Sequence, residues 1–292
     1  MIAGKNIQEI RSDSDRTLYY LNTEHRWLPY DQNDTLFGVA RASGWNSGIA
    51  GWFNPYCRIF SSVLESCLWE PSDVMNLPIE AVGASEDKSI IANAQILAPT
   101  FLTNRVPSAA EVAAPRIRVY SSLMKRARDL IRDDQIDFVF IHLSVPHPPG
   151  FYDRKTHQLC GCGNYIDNLA LADDALGQLQ EEINRSGQAD QTTLIVSSDH
   201  SWRIGLWRGG QYWTPEEERI SQGQFDPRPV LLIRFPGQTS GVDVPGPQPQ
   251  LIEHDIIASM LQNKMETSDA LVAFLRSSQP PQQAKVHVPN KP

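Results

Sequence analysis

The chain has 292 residues, 41% of them hydrophobic and 21% charged, and a formal net charge of −8. That length and balance allow a full buried core, long for one domain and short for two. The acidic balance and the lack of a basic stripe argue against a nucleic-acid or anionic-membrane surface, which needs clustered Lys and Arg. The longest apolar runs, such as Phe138 to Leu143 and Val230 to Ile233, fall far short of the roughly 20 residues that cross a bilayer. Residues 1–10 carry no signal-peptide core, so taken alone the sequence reads as soluble.

Residues 35–43, TLFGVARAS, predict a short amphipathic helix that turns at Gly44-Trp45 into a strand, Ser47 to Phe53. Residues 68–115 mix Pro, Asp, Ser and Ala without a sustained period and predict an irregular insertion. A helix is expected over Arg116 to Arg132, with Val119, Leu123, Ala127, Leu130 and Ile131 on one face and basic residues on the other. It leads into an apolar strand, Phe138 to Leu143, which ends in the proline-braced loop SVPHPPG carrying His147. The next helix spans Tyr165 to Asn184, with Leu169, Ala172, Leu176, Leu179 and Ile183 as its apolar face, and Ser186-Gly187 ends it. Strands at Thr193 to Ser197 and Val230 to Phe235 and a helix at Leu251 to Leu261 follow, and the tail from Ser277 reads as disordered. The alternation of helix and strand over 116–200 predicts a parallel sheet covered by helices on both faces.

The stretch TTLIVSSDHSWR, Thr192 to Arg203, carries the most chemistry. A buried strand there stops at Asp199-His200, where open α/β sheets place their ligands. Carboxylate and neutral imidazole together suit a divalent cation; alternatively, Asp199 caps the next turn and His200 is merely exposed. His147 ends another strand, so a parallel sheet would bring it to the same edge. His142, inside that strand, reads as a hydrogen-bonded core residue. The four cysteines, Cys57, Cys67, Cys160 and Cys162, form disulfides only in an oxidising compartment. Cys160-Gly161-Cys162 with His157 offers half a zinc site, but the spacing is not that of a finger or ribbon, and ordinary loop cysteines are the plainer reading.

The segments HLSVPHPPG (142–150), YIDNLALADDALGQL (165–179), TTLIVSSDH (192–200) and RPVLLIRFPG (228–237), with TLFGVARASGWNSGIAGWF (35–53), follow one another in an order that resembles the alkaline phosphatase superfamily, in its sulfatase-like and phosphoglycerol-transferase-like branch. The resemblance implies a three-layer α/β/α sandwich with a mostly parallel sheet over 1–276 and a tail at 277–292. It also implies a metal-assisted nucleophile that attacks a phosphate or sulfate ester. Carried over by position, Asp199 and His200 are metal ligands, for Mn, Mg, Ca or Zn, and His147 binds substrate or assists the leaving group. Asp174, or its neighbour Asp173, falls where many members keep an Asp, and is not assigned to the metal. Arg203 and Arg228 are placed to clamp an anionic ester or to serve as ordinary surface residues.

The sequence also departs from that family. Met1-Ile2-Ala3-Gly4-Lys5 resembles the end of the segment that carries the Ser, Thr or formylglycine nucleophile, so the nucleophile and the preceding acidic strand are expected to lie outside this chain. No Cys-x-Pro-x-Arg or Ser-x-Pro-x-Arg signature occurs. Gly51-Trp52-Phe53-Asn54 stands where sulfatases have Gly-Lys-Trp-His, which leaves phospho-ester chemistry open. Two readings follow: the C-terminal portion of a hydrolase or transferase, inactive by itself and marginally folded, or a non-catalytic homologue that keeps a metal or ligand cleft. A longer, membrane-anchored form would place the chain in the cell envelope or on the periplasmic face; otherwise it is cytoplasmic. A plain interaction module on a Rossmann-like sheet is the rival of another class, and no GxGxxG follows a strand to support it.

Overall fold

The computed structural model describes residues 2–12, 18–71, 108–210, 212–224, 226–244 and 248–277. These residues fall into two compact units, one within Met1–Gly44, Ala189–Ser201 and Pro227–Pro292, the other within Trp45–Gln188 and Trp202–Asp226. The first unit opens with an antiparallel sheet of β1 (Glu9–Ser12), β2 (Leu18–Leu21) and β3 (Trp27–Pro29), in that order. No sequence pattern announces it, because β1 is exposed at every position and shows no alternation. Its Arg11 lies over the Trp27 ring, 4.2 Å from the centroid. Helix α1 (Leu36–Ala42) starts where Thr35 accepts a hydrogen bond from the Gly38 N–H at 3.4 Å, and it buries Leu36, Phe37 and Ala40.

The second unit is built on β4 (Ser47–Trp52), which is buried at all six positions. After it come α2 (Tyr56–Ile59), β5 (Ser66–Glu70), α3 (Ala109–Arg132) and β6 (Phe138–His142). β5 and β6 flank β4 and both run parallel to it, so that Gly51 lies opposite Trp69 on one side and His142 on the other. The mixed α/β fold with a parallel sheet is therefore as expected. A Cβ on Gly48 would fall 2.6 Å from Leu130 Cδ2 on α3, and one on Gly51 would fall 2.2 Å from Tyr56 Cδ2, so close packing against β4 requires glycine at both positions.

α3 begins at Ala109 rather than Arg116, with Pro115 inside it. Ser108 and Glu111 explain the earlier start: Glu111 N–H donates to Ser108 Oγ at 3.3 Å, and Ser108 N–H donates to Glu111 Oε2 at 2.7 Å. Of the expected insertion at 68–115, residues 68–70 belong to β5 and 109–115 to α3, and 72–107 lie outside the described residues. The antiparallel pair β7 (Tyr152–Asp153) and β8 (Gln158–Leu159) precedes α4 (Tyr165–Arg185). The buried stripe of α4 is Asn168, Leu171, Ala175, Leu179, Glu182 and Ile183, so Leu179 and Ile183 are buried as expected, whereas Leu169 at the other end of the expected face is 49% exposed. Counting apolar residues points to the neighbouring face because the true stripe begins with an asparagine. Arg132 joins α3 to α4 through a two-pronged pair with Glu182, both bonds at 2.7 Å.

β9 (Leu194–Ser197) belongs to the first unit, and α5 (Ile204–Trp207) and α6 (Pro215–Ser221) to the second. β10 (Leu231–Arg234), α7 (Ile252–Leu261) and α8 (Ser268–Ser277) complete the first unit. β9 pairs with β10, antiparallel. The strands with parallel partners among the described residues are thus β5, β4 and β6, and β9 is not one of them. Phe235, Ile252, Ile256, Met265, Leu271 and Leu275 form the apolar core of this unit. The expected tail at 277–292 lies outside the described residues, except Ser277, which closes α8. No helix among the described residues is long and apolar enough to cross a membrane.

Two substitutions of opposite sign test this packing. Leu123→Ala, at a fully buried position on α3, is expected to cost about 2–5 kcal/mol in urea unfolding. Gly177→Ala, inside α4 with open space around a new Cβ, is expected to add roughly 0.5–1 kcal/mol.

Candidate active site

His147 follows β6 in a loop with cis bonds at Val145–Pro146 and Pro148–Pro149. Proline carries no N–H, so this loop has few backbone donors of its own. Its carbonyls are held instead by two buried side chains. Asn168 Nδ2 donates to the His147 carbonyl at 3.0 Å and to the Pro149 carbonyl at 3.3 Å, and Asn168 Oδ1 accepts from the Phe151 N–H at 3.1 Å. Arg116 Nη2 donates to the same His147 carbonyl at 2.8 Å. Asn168 is fully buried and Arg116 is 5% exposed, so Arg116 does not sit on the basic outer face expected for its helix.

The His147 ring is oriented from its own loop. Its Nδ1 lies 2.7 Å from the Pro148 carbonyl; a carbonyl only accepts, so Nδ1 carries the proton, and Nε2 is the atom that takes or gives one. Trp52 and Trp207 meet the ring edge-on, with centroids at 5.5 and 5.4 Å. Trp52 also meets His142 at 5.8 Å. His142 is half-buried, and its Nδ1 lies 2.8 Å from the Tyr56 hydroxyl, as a core histidine should be. Next to this loop, α6 docks on the start of α4 through carboxylates. Glu217 accepts from the Tyr165 N–H at 3.1 Å, and Glu216 accepts from Asn164 Nδ2 at 2.9 Å and from Arg154 Nη2 at 2.5 Å. The Arg154 and Asn164 bonds hold the Glu216 carboxyl below its ordinary value.

Asp199 and His200 follow β9 in the first unit. The backbone there is fixed: Val230 N–H donates to Ser198 Oγ at 3.2 Å, and Gln250 Nε2 donates to the Asp199 carbonyl at 2.9 Å. His200 Nδ1 lies 2.8 Å from the Ser201 carbonyl, which makes it the donor, and Nε2 lies 3.7 Å from Asp199 Oδ1. With Nδ1 on a backbone carbonyl, Nε2 is the nitrogen left open to a cation. The donors fit a divalent cation in kind but are short in number: among the described residues no group of three or more His, Cys, Asp and Glu could hold a metal.

The remaining expected residues are divided between the two units. His147 and Arg203 belong to the second unit, and Asp199, His200 and Arg228 to the first. A shared sheet edge was expected from parallel pairing of their strands, but β6 pairs with β4 and β9 with β10. Arg203 and Arg228 are both exposed. Asp174 accepts a hydrogen bond from the Tyr152 hydroxyl, and His157 Nδ1 lies 3.5 Å from the same carboxylate. Burial and that carboxylate push the Tyr152 phenol up to about 12. The half-zinc reading of Cys160, Cys162 and His157 does not hold: Cys160 is bonded to Cys162, and Cys57 to Cys67, so no thiolate is available to a metal. Asn168, Arg116, Trp52 and Trp207 escaped the sequence reading. Only Asn168 left a signal, as a polar residue three positions before Leu171 on the apolar stripe.

Residues 118–262 match the family model described as Sulfatase. The matched stretch spans His147, Asp199, His200, Arg203 and Arg228. No curated protein matches the chain.

Asn168→Ala would strand the Phe151 N–H and the Pro149 carbonyl at a fully buried position and leave the His147 carbonyl to Arg116 alone, and a loss of roughly 3 kcal/mol in chemical unfolding is expected. Glu253, on α7 and 4% exposed, accepts from Ser197 Oγ at 3.0 Å, and burial lifts its carboxyl above the ordinary 4.5. As pH rises past that value the unfolded chain releases the proton while the folded carboxyl still holds it, so stability falls. Glu253→Gln should therefore be more stable than wild type at pH 7, with the difference vanishing below about pH 4 in pH-dependent melts.

Proposed function

We propose that the chain is the C-terminal portion of a metal-dependent, sulfatase-like hydrolase or transferase acting on phosphate or sulfate esters, with phosphoglycerol transfer among the reactions open to it. The covalent nucleophile is not among its residues. The observation that carries this reading is the Asp199–His200 pair, with His200 Nε2 beside Asp199 Oδ1 and Nδ1 locked on the Ser201 carbonyl, inside the segment that matches the family.

Asp199 and His200 would hold the cation, Mn, Mg, Ca or Zn. When bound, such a cation lowers the pKa of a coordinated hydroxyl and cancels charge on ester oxygens. His147 would give a proton from Nε2 to the departing oxygen, with Nδ1 and the loop carbonyl already fixed. Arg203 and Arg228 would bind the anionic ester oxygens as two-pronged donors. The two disulfides support an oxidising location such as the cell envelope or its periplasmic face, since thiols in the cytosol are kept reduced.

Mn²⁺ titration by calorimetry, run beside assays with aryl sulfate, aryl phosphate and phosphodiester substrates, tests the reading. The wild-type chain should bind Mn²⁺, Asp199→Ala and His200→Ala should each weaken binding at least tenfold, and none should turn over substrate. Binding that survives both substitutions would remove the metal assignment. Turnover by the chain itself would show that the nucleophile is present.

A further inference from the structure

The two disulfides stand in different surroundings. Cys57–Cys67 ties α2 to β5 in the parallel sheet across a sequence separation of 10. Cys160–Cys162 spans a separation of 2 in the loop between β8 and α4, with Cys162 exposed and Cys160 half-buried. The backbone around this second bridge is fixed by other means. Cys160 N–H donates to the Phe151 carbonyl at 3.0 Å. Gly161 lies so close to α3 that a Cβ would stand 2.6 Å from the Ala110 nitrogen. Gly163, at φ +89, approaches Tyr152 with equal intimacy, a Cβ there falling 2.1 Å from its carbonyl oxygen. Asn164 then closes the capping box of α4.

A cross-link stabilises a fold in proportion to the chain freedom it removes, and a one-residue loop has the least to remove. By linkage, a fold that gains little from a bond does little to keep it closed. Exposure adds to this, because a thiolate must reach the sulfur it attacks. Cys162 lines a surface groove with Asp153, Arg154, Lys155, Asp167 and Glu216, which leaves its sulfur open to a dithiol from solvent.

We propose that Cys160–Cys162 is a redox-active pair that exchanges with external dithiols, while Cys57–Cys67 is a structural bond. A thiolate of the dithiol attacks Cys162 Sγ, the S–S bond breaks, and the electron pair leaves on Cys160, which takes a proton from water. The second thiol of the dithiol then attacks its own sulfur in the mixed disulfide and expels Cys162 as a thiolate. The dithiol is oxidised by two electrons to a disulfide, and the Cys160–Cys162 pair is reduced to two thiols.

The test equilibrates the oxidised full chain in dithiothreitol buffers of varied reduced-to-oxidised ratio, quenches with an alkylating agent and reads each pair by peptide mass. Cys160–Cys162 should be half-reduced at a ratio at least tenfold lower than Cys57–Cys67, equivalent to about 30 mV, with an unchanged circular dichroism spectrum. Brief exposure to glutathione should leave the mixed disulfide on Cys162. The proposal is overturned if both pairs open at one ratio, if Cys57–Cys67 opens first, or if the glutathione adduct is found on Cys160.

Discussion

Asn168 binds the histidine loop from inside the second unit, and the candidate chemistry there depends on that contact. One fully buried amide donates to the carbonyls of His147 and Pro149 and accepts from the Phe151 N–H. A proline-rich loop has few donors of its own, so its carbonyls must be met from elsewhere or be buried unpaired. Arg116 shares the load at the His147 carbonyl. With the backbone fixed from α3 and α4, the ring of His147 is placed between Trp52 and Trp207 with one nitrogen already committed. Preorganisation of this kind is what an acid or base needs if it is to act without first reorganising.

The Asp199–His200 pair is prepared by the same economy in the other unit. Ser198 and Asp199 are pinned by Val230 and Gln250, and the Ser201 carbonyl sets the imidazole tautomer. In both cases a main-chain carbonyl engages Nδ1 and leaves Nε2 as the other ring nitrogen. The sequence supplies the histidines, and the fold decides which nitrogen is used.

The main elements were legible because their signals are local. α1, β4, β6, α4, β9, β10 and α7 lie within a residue or two of the spans their apolar periods predict. What was not legible depended on partners distant in sequence. β1 is short and exposed, so it has no periodic signal. α3 was expected from Arg116, but the Ser108–Glu111 capping box starts it at Ala109. β9 looks like any buried strand, and only its partner β10 reveals the antiparallel pairing. At the site, Asp199, His200 and His147 could be picked out by residue type and position, whereas Asn168 and Arg116 act through loop carbonyls that no motif records. The disulfide pairing of four cysteines was likewise undetermined by their count.

The central claim is that a divalent cation sits on Asp199 and His200. Anomalous diffraction from crystals of the full chain grown with Mn²⁺ tests it most directly. The account predicts a peak within bonding distance of Asp199 Oδ and His200 Nε2; an ordered Mn²⁺ bound elsewhere, with that pair unoccupied, would contradict it.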